Sequence, residues 1–188
     1  MTGLGAEAAA WAERGTIRSL AGHDVFVLDV PASTDVGREP LLYLHGFPTS
    51  TFDLAPVLDA LSAERRVVAV DFVGFGLSQK PDRPYTLALQ GDVVVALTEA
   101  LGIDRLALLS HDMGDTVGGE LLARHLAGEW PVEITRRVLT NGSIYIGMAQ
   151  LTAGQQFLSA LPDQRLDAGL APVATNLADS LVATLSPG

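Results

Sequence analysis

The stretch Leu108-Leu109-Ser110-His111-Asp112-Met113-Gly114-Asp115-Thr116 decides how this chain is read. Its first residues close an apolar run, Leu106 to Leu109, that reads as a strand; beyond Gly114 the spacing predicts a helix to about Ala127. A strand therefore turns directly into a helix with Asp112 at the turn. Ser110 and Gly114 supply the small positions of the pattern small-x-nucleophile-x-Gly, in which small flanking residues let the chain reverse sharply and hold one side chain above a sheet. The central residue here is a carboxylate. At a helix N-terminus it gains from the helix dipole and from free backbone N–H groups, and it is able to attack carbon. Aspartate is also a preferred N-cap, so these residues alone leave Asp112 as either a cap or a nucleophile.

Outward from this turn, strand and helix periodicities alternate. Thr16 to Val30 reads as two strands turning at Ala21-Gly22-His23-Asp24. Leu41-Leu42-Tyr43-Leu44 is a buried-type strand, followed by a helix with apolar positions Leu54, Val57, Leu58 and Leu61, capped by Thr51 or Asp53. A strand from Arg66 to Val70, a helix from about Leu87 to Leu101 and a strand from Ile134 to Leu139 complete the alternation. This order predicts an α/β fold with a mostly parallel sheet and helices on both faces. After Asn141-Gly142 the pattern changes to helical spacing, Phe157, Leu158 and Leu161, then Leu177, Leu181 and Leu185, interrupted by Pro162 and Pro172. We therefore expect a sheet domain over residues 1–142 and the beginning of a helical insertion over 143–188.

Composition narrows the chemistry. The 188 residues are 48% hydrophobic and 18% charged, a balance that rules out disorder and fits one domain with a sizeable core. Acidic residues outnumber basic ones 22 to 12, and Lys80 is the sole lysine, so the clustered positive charge that nucleic acid or an anionic membrane requires is missing. With no cysteine there is no disulfide framework, thiolate metal cluster or cysteine nucleophile. The apolar stretch at Ala8–Ala12 lies between Glu7 and Glu13 with no basic segment before it, unlike a signal peptide, and no apolar run approaches the roughly 20 residues of a membrane span. A cytoplasmic protein acting on a small apolar organic molecule, with no cofactor and no metal, is the expectation.

In an open parallel sheet, chemistry belongs at the carboxyl ends of the strands. Besides the Asp112 turn, two such places stand out. His45-Gly46-Phe47-Pro48 follows the Leu41–Leu44 strand, where a backbone N–H can face the same spot and a glycine permits close approach; it also reads as a plain Gly-Pro turn. Asp71-Phe72-Val73-Gly74-Phe75-Gly76-Leu77-Ser78 lacks the third spaced glycine and the Lys-Ser/Thr pair of a phosphate loop, and reads as a structural turn. Of the four histidines, His45 reads as part of its turn, His111 as wedged beside Asp112 and His125 as a partly exposed helix residue. Two histidines without a third partner make a poor zinc site.

The His-Gly-x-Pro segment, the Asp-x-x-Gly-x-Gly-x-Ser loop and the His-Asp-x-Gly turn, in this order, resemble the α/β-hydrolase fold from about Thr16 to Gly142. Within it they look like the branch with an aspartate nucleophile: epoxide hydrolases, haloalkane dehalogenases and relatives. Leu108 to Leu122 is especially similar to the mesoderm-specific-transcript proteins. The resemblance implies catalysis by Asp112, an oxyanion hole from the backbone N–H groups of Phe47 and Met113, a cis bond before Pro48, and a helical cap beginning after Gly142.

Departures from the family refine the expectation. Dehalogenases and most epoxide hydrolases carry tryptophan after the nucleophile; Met113 stands there and has no N–H for a departing halide. Epoxide hydrolases use cap tyrosines as acids, and the only tyrosine beyond the turn, Tyr145, comes early for that role. Asn141 stands where some dehalogenases hold the triad acid, and no histidine follows the cap, where the family has its general base. The resemblance thus implies an incomplete, C-terminally truncated hydrolase whose parent opens an epoxide through an ester on Asp112. The alternatives are a haloalkane dehalogenase or ester hydrolase of the same fold, a noncatalytic α/β-hydrolase-like binding protein and, third, a nucleotide-binding domain.

Overall fold

The computed structural model describes residues 5–142 and Gln156, so the expected cap over 143–188 lies outside the described residues. Helix α1 (Ala6–Ala12) leads into strands β1 (Thr16–Leu20) and β2 (His23–Val30). They form a hairpin whose two-residue turn, Ala21-Gly22, has positive φ at both positions, the twist that matches paired strands. Next come β3 (Leu41–Leu44), a 3-10 turn at Thr51–Leu54, α2 (Leu58–Leu61), β4 (Val67–Val70), α3 (Leu87–Ala100), β5 (Arg105–His111), α4 (Met113–Leu126) and β6 (Glu133–Thr140). The six strands form one sheet in the order β1-β2-β4-β3-β5-β6. β4, β3, β5 and β6 run parallel, while β1 and β2 are antiparallel to their neighbours.

The central strands read as unbroken apolar runs because both of their faces are covered. Leu42, Leu44, Val68, Val70, Leu106 and Leu108 point into one core with Val93, Leu97, Val117 and Leu121 of α3 and α4. The alternate residues Leu41, Tyr43, Val67, Ala69 and Ala107 enter a second core with Trp11 of α1, Leu54 and Leu58. The expected helices on both faces are therefore present. β6 forms the sheet's outer edge among the described residues, with Val138 and Leu139 exposed. No helix among the described residues is long and apolar enough to cross a membrane.

Two elements differ from expectation: helix α1, which the sequence reading does not include, and the Leu54–Leu61 segment. The single helix from Leu54 to Leu61 is two pieces, and its cap is neither Thr51 nor Asp53 but Ser50, whose hydroxyl accepts from the Phe52 N–H. Pro56 has no N–H to donate, which breaks the ladder between the pieces and leaves Val57 47% exposed. Thr51 instead gives its N–H to Asp71, and Asp53 accepts the Thr49 hydroxyl.

Candidate functional site

The ends of β3, β4 and β5 meet at one edge of the sheet. At the end of β5 the chain passes into α4 through a single residue, Asp112, with φ 49° and ψ −115°. For a non-glycine residue such a conformation costs about 1–3 kcal/mol and needs support from its surroundings. That support comes from several hydrogen bonds. Asp112 N donates to Thr140 O at 3.0 Å, and Asp112 O accepts from Asp115 N at 3.0 Å. The carboxylate Oδ1 accepts the Met113 N–H at 2.6 Å and the Phe47 N–H at 2.8 Å. All three expected site residues, Asp112, Phe47 and Met113, are thus brought together, across a sequence separation of 65 between Phe47 and Asp112. Oδ2 of Asp112 accepts no hydrogen bond among the described residues.

Glycines make the approach possible. A Cβ on Gly46 would lie 2.7 Å from Asp112 Cβ, and one on Gly114 would lie 2.3 Å from Leu44 O and 2.7 Å from His45 O. The three glycines of α4, Gly114, Gly118 and Gly119, differ in how closely an added Cβ would meet its surroundings. Gly118 meets Leu108 at 3.0 Å, whereas Gly119 has nothing nearer than 3.9 Å.

Beneath the turn lies a polar layer the sequence did not announce. Ser110 and Asp115 are both fully buried, and the Ser110 hydroxyl donates to Asp115 Oδ1. Thr140 of β6 gives its hydroxyl proton to Ser110 O at 2.8 Å, so the contact of its Oγ1 with His111 Nδ1, 3.1 Å, has the imidazole as donor. The small residue before Asp112 was legible as a steric requirement. Its pairing with a carboxyl one helical turn on was not.

The Asp71 loop is a brace, as its reading as a turn implies. Asp71 is 1% exposed; its Oδ1 accepts the Thr51 N–H at 2.7 Å and its Oδ2 the Leu77 N–H at 2.7 Å. Gly76, at φ 48°, passes so close that an added Cβ would collide with that carboxylate. Replacing Asp71 by alanine strands two N–H groups, and we expect a loss of about 3 kcal/mol, measured by chemical denaturation. A loss within about 0.5 kcal/mol would contradict the bracing role.

His45 is fully buried. Its Nε2 accepts the Phe72 N–H at 2.9 Å, so its proton resides on Nδ1, 2.8 Å from Gly46 O. Burial holds the imidazole below its ordinary value, against the opposing pull of the Gly46 carbonyl and the charges of Asp71 and Asp53. In the unfolded chain the ring takes up a proton below about pH 6.5, while in the folded chain it resists. Stability is therefore full above that pH and declines as pH falls below it. We expect the denaturation midpoint to drop between about pH 7 and 5, with a shallower drop in His45→Asn; equal slopes would contradict the buried neutral ring.

Among the described residues no three His, Asp or Glu side chains gather as a metal site. A surface groove lined by Trp11, Arg14, Phe52 and Pro56 contains none of the residues around Asp112.

Comparison with known proteins adds a family. Residues 39–187 match the model of the alpha/beta hydrolase fold. LipZ of Mycobacterium tuberculosis is 37% identical over 169 residues, 89% of this chain and 54% of that protein. The mesoderm-specific transcript homolog protein of Bos taurus is 39% identical over 143 residues, 72% of this chain and 42% of that protein. Among solved structures, an epoxide hydrolase of Vigna radiata (mutant M263Q) superposes with a TM-score of 0.57 at 26% identity, covering 66% of this chain and 37% of that one. The chain spans about half the length of the curated relatives it matches.

Proposed function

Because the chain belongs to the α/β hydrolase fold family, we propose that it carries the nucleophile half of a hydrolase that forms a covalent alkyl ester on Asp112, with an epoxide as the substrate. The observation that carries this reading is the division of labour in the Asp112 carboxylate. Oδ1 is held by the N–H groups of Phe47 and Met113, and Oδ2 accepts no hydrogen bond among the described residues. In the first step Oδ2 bonds to an epoxide carbon, the carbon–oxygen bond breaks, and the ring oxygen leaves as an alkoxide that takes a proton from an acid. In the second step a water, deprotonated by a base, adds to the carboxyl carbon. Charge then collects on Oδ1, already between two N–H donors, before the ester bond breaks and releases a diol. An ordinary cap accepts from the N–H two or three residues on, here Gly114 or Asp115; Asp112 Oδ1 accepts instead from Met113, the next residue, and from Phe47 of another strand end, donors that the cap reading leaves without a purpose.

The residues after Gly142 are proposed as the beginning of a helical cap, and in the described part the rings of Phe47 and Phe75 meet edge to face at 6.1 Å. Met113 offers no side-chain N–H to a halide, which favours the epoxide over a carbon–halogen bond. The test is exposure of the chain to a terminal epoxide, a matched bromoalkane and a matched ester, followed by intact-mass measurement. Single labelling by the epoxide, faster than by the bromoalkane, is expected. Faster labelling by the bromoalkane favours the dehalogenase reading, and labelling by none favours a noncatalytic binding protein.

A further inference from the structure

The peptide group that joins Gly46 to Phe47 has two ends, and the site uses both. Its N–H reaches Asp112 Oδ1, while its carbonyl, Gly46 O, accepts His45 Nδ1–H at 2.8 Å and Thr49 N–H at 3.1 Å. The Thr49 hydroxyl also lies 3.2 Å from Gly46 O, but its one proton is directed to Asp53 Oδ2 at 2.5 Å. A peptide group is planar, with its carbonyl and N–H pointing in opposite directions. Donors that pin the carbonyl therefore aim the N–H.

We propose that His45 is a positioning residue of the Asp112 site: its Nδ1–H, with the Thr49 N–H, pins the Gly46 carbonyl and so directs the Phe47 N–H at Asp112 Oδ1. The inference rests on the nucleophile reading for its catalytic meaning, though not for its geometry. The ring is itself held. Phe72 N–H anchors Nε2, and the rings of Phe72 and Phe75 lie 4.5 Å and 5.7 Å from the imidazole centroid. With both nitrogens engaged, His45 has no lone pair to offer a water, so it positions and does not act as a base. Donation to the carbonyl also polarises the peptide, making its N–H a stronger donor where charge collects.

A merely structural histidine makes a different forecast from a positioning one. In His45→Asn the side-chain amide N–H takes the place of Nδ1–H, keeping the Gly46 bond and losing the Phe72 bond. In His45→Gln the longer side chain brings its carbonyl to the place of Nε2, keeping the Phe72 bond and losing the Gly46 bond. With the chain labelled by 15N-phenylalanine, the Phe47 amide proton of the wild type is expected far downfield through its carboxylate bond. It should stay there in His45→Asn and move upfield in His45→Gln. Cleavage of the Asp112 ester by mild base in the folded chain, the step in which charge collects on Oδ1, should slow roughly tenfold or more in His45→Gln alone. Equal behaviour of the two variants, or an unmoved amide in His45→Gln, overturns the proposal. If neither variant folds, the wild-type imidazole 15N spectrum decides: the proton on Nδ1 supports it and the proton on Nε2 overturns it. An intact amide pattern without epoxide labelling rejects the nucleophile and keeps the clamp; labelling with a failed amide pattern does the reverse.

Discussion

Asp112→Ala is expected to abolish covalent labelling by a terminal epoxide, a loss of roughly 10⁴-fold or more in rate, because the variant has no oxygen to bond the substrate carbon. Wild-type chain should gain one substrate mass and then stall. Hydrolysis of the ester needs a base, and the histidines offer little: His45 has both nitrogens engaged, and His23 and His125 belong to β2 and α4 surroundings away from the turn. Only His111 lies beside Asp112, its Nδ1 turned to Thr140. Sustained turnover would assign it the second step. Equal labelling of the Asp112→Ala variant would leave Asp112 a cap.

The second large effect is on stability. Gly114→Ala drives a methyl group into the carbonyls of Leu44 and His45, backbone atoms that cannot step aside without shifting α4 against β3. We expect a loss of about 3 kcal/mol, or a melting temperature about 10 °C lower for a chain of this size, together with slower labelling because Asp112, which caps the helix, is displaced with it. Gly119→Ala, on the same helix with open space around it, should be neutral or gain up to about 1 kcal/mol from helix propensity. Equal losses for the two would mean that packing against the strand end does not set the position of α4.

How much of this was legible in the chain depends on how local the cause was. Runs such as Leu41–Leu44 and Val67–Val70 announced themselves as strands because burial on both faces removes polar alternation, and the Ala21-Gly22 turn was fixed by its own glycine. The Ser-x-Asp-x-Gly turn was legible because its steric demands fall within five residues. The Leu54–Leu61 segment reads as one helix from its apolar spacing, but the missing N–H of Pro56 divides it in two. Long-range polar bonds were the least legible. Nothing near Asp71 says that it will accept from Thr51, and nothing near Ser110 says that Asp115 and Thr140 will both reach it. His45 read as a member of its turn, but the partner that sets its tautomer, Phe72, is 27 residues away.

The central claim is that Oδ2 of Asp112, which accepts no hydrogen bond among the described residues, is the atom that takes the substrate carbon, and tandem mass spectrometry of the epoxide-treated chain tests it most directly. After proteolysis, the account predicts a single modified peptide containing Asp112, with the fragment series placing the added mass on that residue and the label lost as diol under mild base, as an ester requires. A stable adduct on His111 or His45, or modification spread over surface carboxylates with Asp112 untouched, would contradict it.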